Sequence, residues 1–154
     1  MTTRISFVCS GNICRSPTAE VVMRRLVAEA GLDVAVESHG TGGWHVGDDM
    51  DRRTAAELRT RGYDPSGHRA QQFGVDDFAR FDLVVALDLD HLAALRAMAP
   101  TTEDADKVVL LGDCGTAFLD DPAVPDPYYG GPSGFSDVLD RVEDGCRGLL
   151  ARLS

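Results

Sequence analysis

Residues 81 to 87, FDLVVAL, are the most continuous apolar stretch in the chain, and a stretch of that kind narrows the choice of fold. A strand with one face in water alternates polar and apolar residues. A near-continuous apolar run belongs instead to a central parallel strand covered on both faces. Such a strand needs helices above and below it, and the rest of the sequence supplies them. Ile5-Ser6-Phe7-Val8 reads as a first buried strand that breaks at Gly11 and Asn12. Ala19, Val22, Met23, Leu26, Val27 and Ala30 then recur at helical spacing and stop before Gly31. Ser16 as N-cap and Pro17 at the first helical position give that helix a physical start.

The alternation continues along the chain. Val34 to Val36 reads as a strand, a link containing Gly40, Gly42 and Gly43 follows, and Met50 to Arg61 is a helix closed by Gly62. Leu89 to Met98 is helical before Pro100, and Lys107 to Leu111 is a fourth strand. Residues 113 to 133, rich in Asp, Gly and Pro, form a long loop. Phe135, Val138, Leu139, Val142, Cys146, Leu149, Leu150 and Leu153 mark a closing amphipathic helix. Strands alternating with helices over 154 residues predict one α/β domain spanning residues 1–154, a three-layer sandwich with right-handed crossovers and a small flavodoxin-like or Rossmann-like architecture. In such sheets ligands bind beyond the carboxyl ends of the strands, and CSGNICRS, residues 9 to 16, occupies the first of those ends.

Charge and cysteine usage limit what that site can bind. Residues 1 to 70 carry nine acidic and nine basic side chains, whereas residues 71 to 154 carry sixteen acidic and six basic, so the later part holds the whole excess of the net −10. Nucleic acid and anionic membrane are therefore poor partners, although a small anion held by local donors is not excluded by net charge. The apolar part of TTRISFVCSG is too short for a signal peptide or a membrane span. A cytoplasmic location is expected, or export by a route that needs no signal peptide. Four cysteines in that compartment are expected as thiols rather than structural disulfides.

Four chemistries compete for the loop. Cys9 and Cys14 have a separation compatible with a zinc knuckle, but no second cysteine pair follows, and Cys114 and Cys146 are isolated, so no metal is expected. A nucleotide-phosphate loop needs a lysine closing a glycine-rich turn; Lys107 is the only lysine, and Gly11 stands alone after the first strand. Sulfur nucleophile chemistry fits better. Arg15 follows Cys9 with five residues between them, and a loop of that length ending at a helix N-terminus can wrap backbone N–H groups around a tetrahedral anion. The same donors favour a thiolate and can receive phosphoryl oxygens, with the planar fork of Arg15 clamping two of them. A general acid is still needed, and Asp120, Asp121 and Asp126 in the long loop are comparable candidates.

FVCSGNICRSPTAE, residues 7 to 20, resembles the active-site signature of the low-molecular-weight protein tyrosine phosphatases. GTGGWHVGDDMDRR, GYDPSGHRAQQF, FDLVVALD and DPYYGG extend the resemblance over nearly the whole chain. It implies a four-stranded parallel sheet and hydrolysis of phosphotyrosine without metal or cofactor. By this likeness Cys9 is the nucleophile, and residues Cys9, Ser10, Gly11, Asn12, Ile13, Cys14, Arg15 and Ser16 form the phosphate-binding loop. Arg15 is the clamp, Ser16 holds the nucleophile as thiolate, Asn12 braces the loop, and Asp126 is general acid and then base. Trp44 would form one wall of the substrate cleft and Tyr128 and Tyr129 the other, a slot deep enough for phosphotyrosine but not for phosphoserine. Cys14 would pair reversibly with an oxidised Cys9.

The implied partners are phosphotyrosine-containing proteins and small aryl phosphates, with inorganic phosphate or vanadate as inhibitors. The sequence departs from the family around Asp88, where VVALDLDHL lacks a common Met and Asn, and at His39, where a small residue is usual. Two other readings share the loop. Thiol-coupled arsenate reductase needs further cysteines after the third strand, and LVVALDLDHLAAL has none. A noncatalytic phosphotyrosine-binding module would keep Arg15 and the cradle without requiring both Cys9 and Asp126.

Overall fold

The structure, a computed structural model, describes residues 1–127 and 133–154. Its centre is a parallel sheet of four strands, β1 (Thr3–Cys9), β2 (Val34–Gly40), β3 (Leu83–Ala86) and β4 (Val108–Leu110), in the spatial order β2-β1-β3-β4. β1 lies inside the sheet, pairing with β2 through Thr3 opposite Val34 to Cys9 opposite Gly40, and with β3 through Ile5 opposite Leu83 to Val8 opposite Ala86. The helices are α1 (Arg15–Ala30), α2 (Arg52–Thr60), α3 (Leu89–Met98), the short α4 (Thr102–Asp106) and α5 (Leu111–Cys114), and the long α6 (Ser133–Leu153).

The two faces of β1 explain the two cores. Alternate side chains point to opposite faces, so Ile5, Phe7 and Cys9 join one apolar cluster with Val22, Met23, Leu139, Val142 and Leu149 from α1 and α6. Val8 joins the other with Val84, Ala86, Phe73, Phe78, Phe81 and Leu95. Burying each of these larger apolar side chains stabilises the fold by about 1.5–3 kcal/mol. Of the predicted closing stripe of α6, Phe135, Val138, Leu139, Val142, Cys146 and Leu149 are buried, and Leu150 and Leu153 are partly buried against the same cluster.

The ends of the elements differ from the sequence reading in ways that follow from local chemistry. α1 ends at Gly31, whose left-handed φ of 68° lets the Gly31 and Leu32 N–H groups turn back onto Ala28 and Val27 carbonyls. Its start is not at Ser16. The helix begins at Arg15 after Cys14, and Ser16 caps no N–H because its hydroxyl is engaged elsewhere. β2 runs on to Gly40, beyond the Val34 to Val36 expected, because Ser38 and His39 are buried by partners that periodicity does not reveal. β4 stops at Leu110, and the chain turns directly into α5.

Candidate active site

At the carboxyl end of β1 the chain leaves the sheet at Cys9 and re-enters regular structure at Arg15, the first residue of α1. The intervening turn requires a left-handed residue, and Asn12 supplies it with φ 59°. The side chain that makes this tolerable is wholly buried and fully used. Asn12 Nδ2 donates to Ser16 Oγ at 2.8 Å and to Ser38 Oγ at 2.9 Å, while Oδ1 accepts the Gln71 N–H at 2.9 Å. His68 Nε2 lies 2.7 Å from the Asn12 carbonyl, and Ser38 Oγ donates onward to Glu20 at 2.5 Å. The loop is therefore tied to α1, β2 and the segment after α2 through one amide. β2 also approaches it closely: a β-carbon on Gly40 would stand 2.7 Å from the Ser10 carbonyl.

Ser16 Oγ lies 2.9 Å from Cys9 Sγ and 3.2 Å from the His39 carbonyl. The hydroxyl has one proton and two lone pairs, and the Asn12 amide already uses one lone pair. When Cys9 is a thiol, its S–H can donate to Ser16 Oγ while the hydroxyl proton rests on His39. When Cys9 is a thiolate, the proton can turn to sulfur. His39 itself is buried, its Nδ1 2.6 Å from Ser6 Oγ and its ring edge-on to Phe73 and Phe81. Burial lowers its pKa despite the opposing influence of Asp77 and Glu37.

Arg15 is only 4% exposed, an unusual burial for an arginine, and its donors are divided. Nη1 bonds Asp88 Oδ2 at 2.8 Å and the Val124 carbonyl at 3.1 Å. Nη2 reaches Ser10 Oγ at 3.3 Å and stands 3.8 Å from Asp126 Oδ2. The Nη1 corner is thus committed to protein, and the Nη2 and Nε edge carries the fork that can hold two oxygens of an anion.

Asp88 and His91 were not assigned from sequence. β3 lies beside β1, so the residues just past their carboxyl ends are neighbours, and Asp88 stands two residues beyond the end of β3. Asp88 caps α3 through the His91 N–H at 2.8 Å. His91 Nε2 lies 2.8 Å from Ser10 Oγ, and its Nδ1 lies 3.0 Å from Asp88 Oδ1 without the alignment of a hydrogen bond. Burial by itself would raise the Asp88 carboxyl, but His91, through ring and backbone, and Arg15 hold it well below the usual carboxylate range. The signal in the sequence was an Asp at the carboxyl rim of the most apolar strand, with His three residues on.

The remaining predicted residues divide. Cys9, Ser10, Gly11, Ile13, Cys14, Arg15, Trp44, His45 and Asp126 line one cleft of about 380 Å³. Asp126 belongs to the irregular segment after α5, which is anchored two residues earlier. Val124 donates its N–H to the Leu87 carbonyl at 2.8 Å and accepts from Arg15, and Arg141 of α6 bonds the carbonyls of Asp121 and Ala123. Asp120 and Asp121 are exposed and do not line the cleft, which separates them from Asp126. Trp44 is 75% exposed and lies so close over Gly42 that a β-carbon there would enter its ring. Cys14 is buried, and burial, opposed by Thr54 and reinforced by Asp51, pushes its thiol up to about 12. Tyr128 and Tyr129 lie outside the described residues. Among the described residues no group of three or more His, Cys, Asp or Glu is arranged to hold a metal ion, and no helix is long and apolar enough to cross a membrane.

Residues 4–154 match the sequence model of the low molecular weight phosphotyrosine protein phosphatase family. The chain is 54% identical to a low molecular weight protein-tyrosine-phosphatase of Streptomyces coelicolor, over 98% of this chain and 93% of that one. It is 44% identical to low molecular weight protein-tyrosine phosphatase A of Mycobacterium tuberculosis, over 94% of this chain and 88% of that one. In three dimensions it superposes on the crystal structure of a protein tyrosine phosphatase from Entamoeba histolytica with a TM-score of 0.93 at 35% identity, covering 99% of this chain and 97% of that one.

Proposed function

The chain belongs to the low molecular weight phosphotyrosine protein phosphatase family, a family of hydrolases, and from that premise we propose a mechanism for its phosphatase activity: hydrolysis of phosphotyrosine through a phosphocysteine intermediate on Cys9. The observation that carries this reading is that Cys9, Arg15 and Asp126 meet in one cleft, with Ser16 Oγ 2.9 Å from the sulfur.

The Cys9 thiolate attacks phosphorus, and the S–P bond forms as the bond to the tyrosine oxygen breaks. Asp126, entering as the carboxylic acid, gives its proton to that oxygen, so tyrosine leaves neutral. The three nonbridging oxygens sit among the loop N–H groups, with two against the Nη2 and Nε edge of Arg15. Asp126, now a carboxylate, takes a proton from water as its oxygen attacks phosphorus. The S–P bond breaks, inorganic phosphate departs, and the Ser16 hydroxyl donates to the thiolate left behind. The Arg15 to Asp126 separation of 3.8 Å suits this cycle, because a close ion pair would hold Asp126 ionised and occupy the clamp.

Trp44 offers one apolar wall to an aryl ring, which favours phosphotyrosine proteins and small aryl phosphates over shorter phosphoserine. Inorganic phosphate and vanadate would compete for the same cradle. Cys9, Cys14, Cys114 and Cys146 are free thiols. Peroxide would convert Cys9 to a sulfenic acid, and the Cys14 sulfur would then displace hydroxide to form a Cys9–Cys14 disulfide and water. The raised Cys14 thiol makes that trapping step slow.

The test compares phosphotyrosine and phosphoserine peptides, with and without vanadate, in wild type and Cys9→Ser. Vanadate-sensitive release from phosphotyrosine alone, lost in Cys9→Ser while peptide binding persists, is the expected result. Phosphate release unaffected by Cys9→Ser would overturn the covalent mechanism.

A further inference from the structure

Three hydrogen bonds and one close approach link four polar side chains beside the cleft, and two of the four have no part in the mechanism above. Arg15 Nη1 bonds Asp88 Oδ2 at 2.8 Å, Asp88 Oδ1 faces His91 Nδ1 at 3.0 Å, His91 Nε2 meets Ser10 Oγ at 2.8 Å, and Ser10 Oγ returns to Arg15 Nη2 at 3.3 Å. Arg15 and His91 are each no more than 5% exposed, so water competes little for these bonds. Resting on the phosphatase reading, we propose that His91 is a positioning residue for the phosphate clamp, acting on Arg15 through the hydroxyl of Ser10.

The donor directions among these four side chains support the assignment. Both Arg15 nitrogens can only donate, and Asp88 as carboxylate can only accept. In the tautomer with its proton on Nδ1, on the carboxylate side, Nε2 accepts from Ser10. The Ser10 proton is then held by His91, so the lone pairs of Ser10 Oγ face Arg15. Without His91 the hydroxyl is free to rotate, and Arg15 Nη2 loses a fixed acceptor. The competing acceptor is Asp126, already 3.8 Å away. A guanidinium that swings to Asp126 removes the clamp from the phosphate and ties up the acid together. These contacts thus keep Arg15 aimed between Asp88 and the ligand.

A packing role alone would give a different pattern. His91 sits in the first turn of α3, where its backbone N–H is already capped by Asp88, so its ring is not needed for helix initiation. Its Nδ1 is a buried polar atom without an aligned partner, a costly arrangement for a residue that only fills space.

The experiment measures vanadate inhibition constants, kcat/KM for phenyl phosphate and urea midpoints in wild type, His91→Ala, His91→Gln, Ser10→Ala and the double variant Ser10→Ala/His91→Ala. Loss of one well-placed hydrogen bond to the clamp should weaken vanadate binding and lower kcat/KM by about tenfold in either alanine variant. Because both act through one contact, the double variant should be no weaker than about tenfold as well. Gln, whose amide reaches the place of Nε2, should recover binding to within about threefold of wild type. The inference is overturned if His91→Ala lowers only the urea midpoint, or if the double variant loses about hundredfold, as independent sites would. Should His91→Ala fail to fold, unchanged vanadate binding in Ser10→Ala overturns it equally. A wild-type protein that neither hydrolyses phenyl phosphate nor binds vanadate would instead refute the phosphatase reading, and this inference with it.

Discussion

Replacing Asn12 by alanine should damage the protein more than its single position suggests. Alanine at φ 59° costs about 1–2 kcal/mol in the left-handed region. Loss of Oδ1 strands the Gln71 N–H, at about 1–3 kcal/mol, and loss of the amide donors to Ser16 and Ser38 removes about 1 kcal/mol each. The sum, about 5 kcal/mol, is a large share of a typical domain stability of about 5–15 kcal/mol. Asn12→Gly forfeits the same bonds but escapes the backbone strain. Offset by the greater freedom of glycine in the unfolded chain, it should retain about 1 kcal/mol more than the alanine variant. With a urea dependence of about 2 kcal/mol/M, Asn12→Ala should lower the midpoint by about 2.5 M and Asn12→Gly by about 0.5 M less. Equal midpoints for the two would contradict the left-handed assignment, and a loss under about 1 kcal/mol in both would show that the amide does not brace the loop.

Other substitutions probe the rest of the site. Asp126→Asn should cut phosphotyrosine turnover by about 10²–10⁴-fold, as measured by steady-state kinetics, while p-nitrophenyl phosphate, whose leaving group needs less protonation, falls far less. The Asp88 carboxyl is depressed in the folded state, so its stabilisation is fully present above the unfolded carboxylate value near about 3.9 and is lost as pH falls through the lower folded value. Urea midpoints followed below about pH 4 should therefore fall with acid in wild type, and Asp88→Asn should start less stable and show a flatter acid limb. Trp44 is the only tryptophan, so binding of an aryl phosphonate should shift its emission to the blue, and Trp44→Ala should raise KM for aryl phosphates.

Much of this architecture could be read from the residues because it rests on local pattern. The near-continuous apolar run at FDLVVAL pointed to a doubly covered strand, and the recurring apolar spacing of α1 and α6 supplied covering helices. The loop from Cys9 to Ser16 could be placed because it lies between one strand and one helix that are adjacent in sequence. Contacts across the sheet were harder. Strand order sets β3 beside β1 and so brings Asp88 and His91 to Arg15 and Ser10, whose partners are 73 and 81 residues apart in the chain. Ser16 shows the converse: local rules made it a helix cap, but tertiary partners at Cys9, Asn12 and His39 claim its hydroxyl. The residues alone left Asp120, Asp121 and Asp126 comparable, and only the family likeness favoured Asp126; the anchoring of the loop at Val124, which leaves Asp126 lining the cleft, is a tertiary contact.

The central claim is that the phosphoryl group passes through Cys9. Turnover of phosphotyrosine peptide quenched in acid, followed by mass spectrometry of proteolytic fragments, reads this directly. The expected result is one phosphoryl group on the fragment carrying Cys9 in wild type and none in Cys9→Ser; with p-nitrophenyl phosphate, whose leaving group needs little protonation, Asp126→Asn should accumulate it because hydrolysis is slowed more than formation. Undiminished turnover with no phosphoryl group on Cys9, or a phosphoryl group carried by another residue, would contradict it.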